Sequence, residues 1–200
     1  MINLKIKNNQ NGRSMIEMLG VLAIIGVLSV GGIAGYSKAM QKYRINKTIE
    51  QITLIAGNIR TFFGRQRDYR GVTDNNILRK AGLIPDEMWE ITNEWLSAQN
   101  PFGGGVEPST DKKDDSDVTN TRAFKIMCTQ IPQDACVELA SQDWTNAGVG
   151  LISVRGTKYG IPPLSVDKAV TACSSQNDNY ILFYFDVDVN SNYWKNKINL

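Results

Sequence analysis

Few residues in this chain could do chemistry, and they are unevenly placed. The 200-residue sequence contains no His. That removes the commonest general base, the Ser-His and Cys-His nucleophile pairs, and His-ligated zinc. Cys128, Cys136 and Cys173 all lie in the second half, and an odd number leaves one thiol over once a pair forms. Asp111, Asp114, Asp115 and Asp117 crowd one segment. Lys112 and Lys113 stand among them, and the spacing lacks the Gly and the closing Glu of a calcium loop, so a solvated loop is expected there and no metal site. Asp186 and Asp188 fall on one side of a strand-like run and read as a solvated sheet face. Trp89, Trp95, Trp144 and Trp194 read as core packing. No nucleophile–base constellation is visible, so no catalytic residue, no cofactor and no enzymatic activity is expected.

Glu17 remains. It stands at the mouth of residues 18–37, a run of 20 residues without a charge. Such a run makes about 30 Å of helix, the thickness of a bilayer core. A carboxylate in an apolar helix costs roughly 2.5–3.5 kcal/mol at the centre of a membrane and less near the interface, so a partner for it is expected. A cleaved signal peptide or a plain signal anchor, with Lys5 and Lys7 as its basic flank, accounts for the apolar run and leaves Glu17 unexplained.

The elements that would position Glu17 extend past the membrane-length run. No proline occurs before Pro85. After Ser37 the apolar positions become periodic, at Ile45, Ile49, Ile52, Ile55 or Ala56, Ile59, Phe62 and Phe63, while Lys38, Lys42, Arg44, Lys47, Glu50 and Arg60 take the other face. The reading is one helix from about residue 14 to residue 63, apolar all round in its first half and amphipathic in its second. At 1.5 Å per residue it would span about 75 Å, too long for one compact domain. Half of it must be buried by a membrane or by neighbouring copies of itself. The mean hydropathy of the whole chain is -0.26, so the rest of the chain is soluble in character. Its formal charge is +2, and without Lys5 and Lys7 the balance is 20 basic to 20 acidic, so no nucleic-acid partner is expected.

The remainder reads as a mixed α+β head. TDNNILRKAGLIP is a short helix capped by Thr73 or Asp74 and closed by Gly82 and Pro85. NPFGGGVEPSTDKKDDSDVTNT is a loop by composition. RAFKIMC is a strand with Phe124, Ile126 and Cys128 on one face, which makes Cys128 a natural buried thiol. IPQDACVELAS is a helix begun by Pro132, with Ala135, Cys136, Leu139 and Ala140 on one face. VGLISVRGTKYGI is a strand with a turn near Gly156, and NYILFYFDVDV is the strongest strand of all. An antiparallel sheet with one apolar face would cover the stripe of the long helix.

With these features in place, GRSMIE followed by MLGVLAIIGVLSVGGIAGY resembles the class III signal of the type IV pilins and pseudopilins. Members of that family carry a short basic leader that ends in Gly. A prepilin peptidase cuts after it and methylates the new terminus, and the fifth mature residue is Glu. On this resemblance Gly12 ends the leader, Arg13 is the methylated new terminus, and Glu17 is the fifth residue. Arg13 departs from the pattern, because members begin with an apolar residue. The departure places a second positive group four residues from Glu17, within reach on a helix. Weaker similarities in Tyr69 to Gly71, AGLIP, NPFGG and IPQDAC point to the type IVb branch.

The resemblance implies a division into leader 1–12, a transmembrane and filament-core half-helix 13–36, an amphipathic half 37–63, and a head 64–200. The fold implied is α+β, a long amino-terminal helix whose apolar half protrudes and whose second half packs on an antiparallel sheet. The resemblance also implies a disulfide enclosing the carboxy-terminal part of the head, and position favours Cys136–Cys173 over Cys128–Cys173 and Cys128–Cys136. Partners would be copies of the chain itself in a helical filament, the peptidase, an assembly platform with its ATPase, and the inner membrane before assembly with the head in the periplasm. After assembly the chain would lie in an extracellular pilus, with Glu17 meeting a neighbour's terminal amine. The alternatives are a minor pilin, a type II secretion pseudopilin, or an anchored extracytoplasmic binding domain.

Overall fold

The computed structural model describes residues 15–66, 68–91 and 96–198. Gly12, Arg13 and Trp95 lie outside these residues. The chain divides into two compact units, Met1–Gln41 and Lys42–Leu200. One helix, α1 (Met15–Phe63), belongs to both.

In the first unit every residue from 15 to 39 is exposed. With no proline in the segment, the backbone donors past the first turn find their acceptors within the helix. The two hydroxyls do the same: Ser29 donates to the Ile25 carbonyl at 2.7 Å and Ser37 to that of Ile33 at 3.0 Å.

In the second unit α1 buries Ile45, Thr48, Gln51, Ile52, Ile55, Ala56, Ile59 and Phe63, the expected spacing of three and four. The stripe differs from expectation in burying polar Thr48 and Gln51, in covering Ile49 only in part, and in dividing the two phenylalanines. Phe63 enters the core, while Phe62 is 46% exposed.

Seven strands among the described residues form one antiparallel sheet: β1 (Trp89–Ile91), β2 (Leu96–Gln99), β3 (Gly105–Asp111), β4 (Ala123–Ile131), β5 (Val149–Val154), β6 (Thr157–Gly160) and β7 (Asn179–Phe185). Their order is β1-β2-β3-β4-β7-β5-β6. The strongest predicted strand, β7, is thus central, between β4 and β5. Alternation divides its side chains. Ile181, Phe183 and Phe185 join the main core with α1, while Tyr184 and Leu182 face the other side with Leu151 and Trp194.

The segment expected to be a loop by composition, residues 100–121, contains a strand, β3, at its centre. It pairs with β4 from Val106 opposite Cys128 to Asp111 opposite Ala123. Pro108 obscured the strand, since a proline cannot donate to a ladder. It is tolerated because β2 pairs only with Gly105 and Val106, so β3 has a free edge at Pro108. The Asn100 side chain shapes the turn before it. Its amide donates to the Thr129 carbonyl at 2.9 Å, and its oxygen accepts from the Phe102 and Gly104 N–H groups. A Cβ on Gly104 would collide with the Thr129 carbonyl, so the close approach requires glycine.

Helix α2 (Asn75–Lys80) is capped by Asp74, one of the two expected caps, whose carboxylate accepts from the N–H groups of Asn76 and Ile77. Helix α3 (Gln133–Ser141) buries Ala135, Cys136, Leu139 and Ala140 as expected. Two short helices were not anticipated, α4 (Val166–Ala172) and α5 (Asn192–Lys195). The second brings Trp194, fully buried, onto the back of the sheet.

Candidate assembly helix and the head that carries it

The candidate functional element is built from residues with little chemistry. From Met15 to Tyr36 the side chains of α1 present large exposed hydrophobic groups, among them Leu19, Leu22, Ile25, Leu28 and Ile33. The helix is long and apolar enough to cross a membrane, with a hydropathy of 2.2 over its best window. Glu17 lies in the first turn of the described helix, the end at which the helix dipole favours a negative charge. Gly20, Gly26, Gly31, Gly32 and Gly35 have open space where a Cβ would stand. They leave flat places on the helix against which another helix can lie closely.

The head holds its part of α1 with directed bonds as well as apolar packing. Arg60, in the last turn, donates through Nε and Nη2 to Asp186 Oδ1 at 3.1 and 3.0 Å. The same guanidinium donates to the Ala147 and Gly148 carbonyls, each at 2.9 Å. The Tyr69 hydroxyl donates to the other oxygen of Asp186. Burial, followed by that bond to a carboxylate, raises the Tyr69 pKa. Gly148 has φ +71°, and the space a Cβ would need is filled by the Arg60 guanidinium. Asp186 was expected on a solvated sheet face. It instead follows the last residue of β7, at φ 57°, and binds the end of the helix to the sheet. The sequence signal for this was weak: an Arg in the last turn of a helix is more often solvated.

The aspartate-rich segment is also more structured than expected. Asp117 is buried and accepts from the backbone N–H groups of Lys113 at 3.2 Å and Arg122 at 2.8 Å. Burial works against its charge, but these donors and the Thr119 hydroxyl outweigh it, so its pKa is lowered. Asp111 pairs with Lys125 at 2.9 Å. No group of His, Cys, Asp or Glu able to hold a metal occurs among the described residues.

A disulfide joins Cys136 in α3 to Cys173 at the end of α4, the pairing that position favoured. It closes the carboxy-terminal part of the head. Cys128 is a free thiol buried against the main core, and burial alone pushes its pKa up to about 12. Trp144 and Trp194 are fully buried, Trp144 donating to the Leu139 carbonyl at 2.8 Å and Trp194 to that of Lys113 at 3.0 Å. Trp89 is partly buried against the core.

A membrane-length apolar helix that continues into a stripe packed on an antiparallel sheet, with a disulfide closing the far side of the head, is the architecture of a type IV pilin. Solved structures share it. The crystal structure of a type IVb pilin from Salmonella typhi matches with a TM-score of 0.56 at 17% identity, covering 70% of this chain and 99% of that one. TcpA, a type IV pilin from Vibrio cholerae El Tor biotype, matches with a TM-score of 0.50 at 14% identity, covering 71% of this chain and 98% of that one. The family model for bundlin matches residues 37–180, and the chain belongs to the bundlin family. Among curated relatives, the major structural subunit of the bundle-forming pilus of Escherichia coli O127:H6 is 25% identical over 194 residues, 90% of this chain and 95% of that one. The corresponding subunit of Escherichia coli O111:H- is 26% identical over the same length.

Proposed function

We propose that this chain is the structural subunit of a type IVb-like pilus, held in the inner membrane by α1 and added to a helical filament of its own copies. The observation that carries the reading is the continuity of α1: an exposed apolar half with Glu17 in its first turn runs directly into a half buried in a folded head. A free-standing membrane anchor needs no such unbroken helix. A filament does, because the head must be placed by the helix that forms the core.

On this reading a prepilin peptidase removes residues 1–12 after Gly12, and Arg13 becomes the methylated terminus. Residues 13–36 then exchange lipid for neighbouring helices. Glu17 sets the register, because a carboxylate left unpaired among apolar helices is strongly unfavourable. Its partner is the terminal amine of a neighbouring subunit, with Arg13 shielding it in the membrane monomer. An assembly platform with its ATPase supplies the work of extraction. Residues 37–63, the amphipathic half of α1, carry the head, residues 64–200, which faces the periplasm before assembly and the exterior afterwards. The role is structural and not enzymatic. The alignment of this chain along 95% of a major subunit supports a major over a minor pilin.

Amino-terminal mass analysis of the mature chain tests processing: a start at Arg13 is expected, and cleavage near Gly35 would remove the reading. For assembly, Glu17→Ala is expected to leave cleavage intact and to reduce filament yield sharply. Normal filaments from that variant would remove the register mechanism.

A further inference from the structure

The back of the sheet, opposite the face that α1 covers, carries a group of lysines set on aromatic rings. Lys158 projects from β6, and its ammonium lies 4.3 Å from the Trp194 ring centre and 5.4 Å from that of Tyr184. Lys197 and Lys112 flank Tyr193 at 3.8 and 5.2 Å. Lys125, from β4, stands 5.7 Å from Tyr184. The rings themselves meet edge to face in one cluster, Tyr193 against Trp194 at 5.0 Å and Trp194 against Tyr184 at 5.3 Å. These contacts fix where the ammonium groups stand.

The charge they bring together is unbalanced. Asp111 neutralises Lys125 at 2.9 Å, and among the described residues no carboxylate comes within 4 Å of the ammonium of Lys112, Lys158 or Lys197. Lys158 is half-buried, and its desolvation together with the nearby charges of Lys197 and Lys125 outweighs the pull of Asp111, lowering its pKa. Beside this group, Tyr159, Ile161, Val189, Asn190, Lys195 and Ile198 line a groove of about 400 Å³. Lys195 adds a further cation at its rim.

We propose that this face binds an anionic polysaccharide, a sugar chain bearing sulfate or carboxylate groups. Lys112, Lys158 and Lys197 would meet the charged groups, and the groove would take the apolar face of a ring. The lysines supply compact point charges spread along a surface, which suits a linear chain of charges more than one planar ligand. Nucleic acid fits less well, because single-strand binding relies on accessible rings for base stacking. Trp194 is 0% and Tyr184 4% exposed, and Tyr193 has a lysine over its ring from each of two directions.

The test uses the full chain in an uncharged detergent, so that it does not depend on filament assembly, with heparin as the probe. Binding is expected to weaken steeply with salt. The double variant Lys158→Gln, Lys197→Gln is expected to weaken it at least about tenfold, as is Lys112→Gln in part, because each neutralised contact removes one released counterion. Lys112→Gln leaves the Lys158 contacts with Trp194 and Tyr184 in place, and an unchanged thermal melt of that variant separates loss of charge from misfolding. The pair Lys80→Gln, Lys168→Gln, on exposed surface elsewhere, is expected to bind like the parent. Three results would overturn the proposal: no binding by the parent chain, an equal loss in the control pair, or tighter binding of duplex DNA than of heparin at matched charge.

Discussion

The two halves of α1 share the same kinds of large apolar residue, and those residues meet opposite fates. In the first half Leu22 is 63% exposed, Ile24 62% and Val27 75%; in the second Ile52, Ile55 and Ile59 are at most 1% exposed. Helix propensity does not distinguish them, and neither does residue type. What differs is the pattern around them. The second half alternates its apolar residues with Lys42, Arg44, Lys47 and Glu50, so only one stripe asks for cover, and a single sheet supplies it. The first half is apolar on every side, and no single face of a sheet can cover it. An apolar side chain gains about 1.5–3 kcal/mol when fully buried, so a surface of this extent is compatible with water only if lipid or other copies surround it. The comparison assigns stability to one half and association to the other.

The sharpest way to break that assignment is to place the same change in each half. Ile55→Asp puts a carboxylate without a partner into the main core and is expected to remove about 4 kcal/mol or more from the stability of the head. Ile24→Asp is expected to change that stability by less than about 0.5 kcal/mol. It should instead prevent membrane insertion and filament formation, given a penalty of roughly 2.5–3.5 kcal/mol for a charge at the centre of a membrane helix. Near-UV circular dichroism of the full chain in detergent reads the first effect, and membrane fractionation the second. If Ile24→Asp lowers the melting transition of the head as far as Ile55→Asp does, the division of labour is wrong.

Much of this contrast was legible in the sequence, because it rests on periodicity. The end of α1 at Phe63, most of its buried stripe, a cap at Thr73 or Asp74, the α3 face with Cys136 and the central strand around Phe183 all follow from local pattern. Features that depend on distant partners were not legible. Asp186 looks like a strand residue in solvent until Arg60, 126 positions earlier, is brought beside it by the fold. Strand β3 was hidden because Pro108 and three glycines signal a turn, and only the short reach of β2 makes that proline acceptable. Helix α4 is brief and has no strong apolar period, so its place is set by packing and by Cys173 more than by propensity. Glu17 was singled out by its spacing from Gly12, a relation that geometry within one subunit does not express.

The next effect tests whether the head holds its helix independently of the filament. Replacing Cys136 and Cys173 together by Ala opens a covalent loop with a sequence separation of 37. The expected loss is about 4 kcal/mol on the chain-entropy account. Reduction of the native chain should have the same consequence, and Cys128→Ala, a change confined to one buried thiol, should remove less. A smaller loss follows from Arg60→Ala, which leaves Asp186 with Tyr69 alone and frees the Ala147 and Gly148 carbonyls. Hydrogen bonds to charged groups contribute about 1.5–3 kcal/mol, and the site is partly open to water, so about 2 kcal/mol is expected from urea unfolding. Arg60→Lys should recover only part of it, since one ammonium cannot reach a carboxylate and two carbonyls with the same fork of donors. Full stability in Arg60→Ala would mean that apolar packing alone seats the helix.

The smallest expected effect separates the halves by acid. Asp117 is held in the head by N–H donors that favour its charged form, so its pKa is lower folded than unfolded. A group of that kind adds stability above its unfolded pKa, about 3.9, and loses it as the pH falls through the folded value. The head should therefore weaken as the pH drops below about 4. Asp117→Asn keeps one acceptor oxygen in place but cannot titrate. It is expected to be modestly less stable than the parent at pH 7 and to converge with it in acid, as measured by thermal melts of both chains across that range. The first half of α1 holds no comparable group from residue 18 to residue 37, so the helicity of that segment in detergent should stay level over the same interval. Parallel loss of helix and head on acidification would show that the two halves are energetically one unit, and the distinction drawn between them would have to be given up.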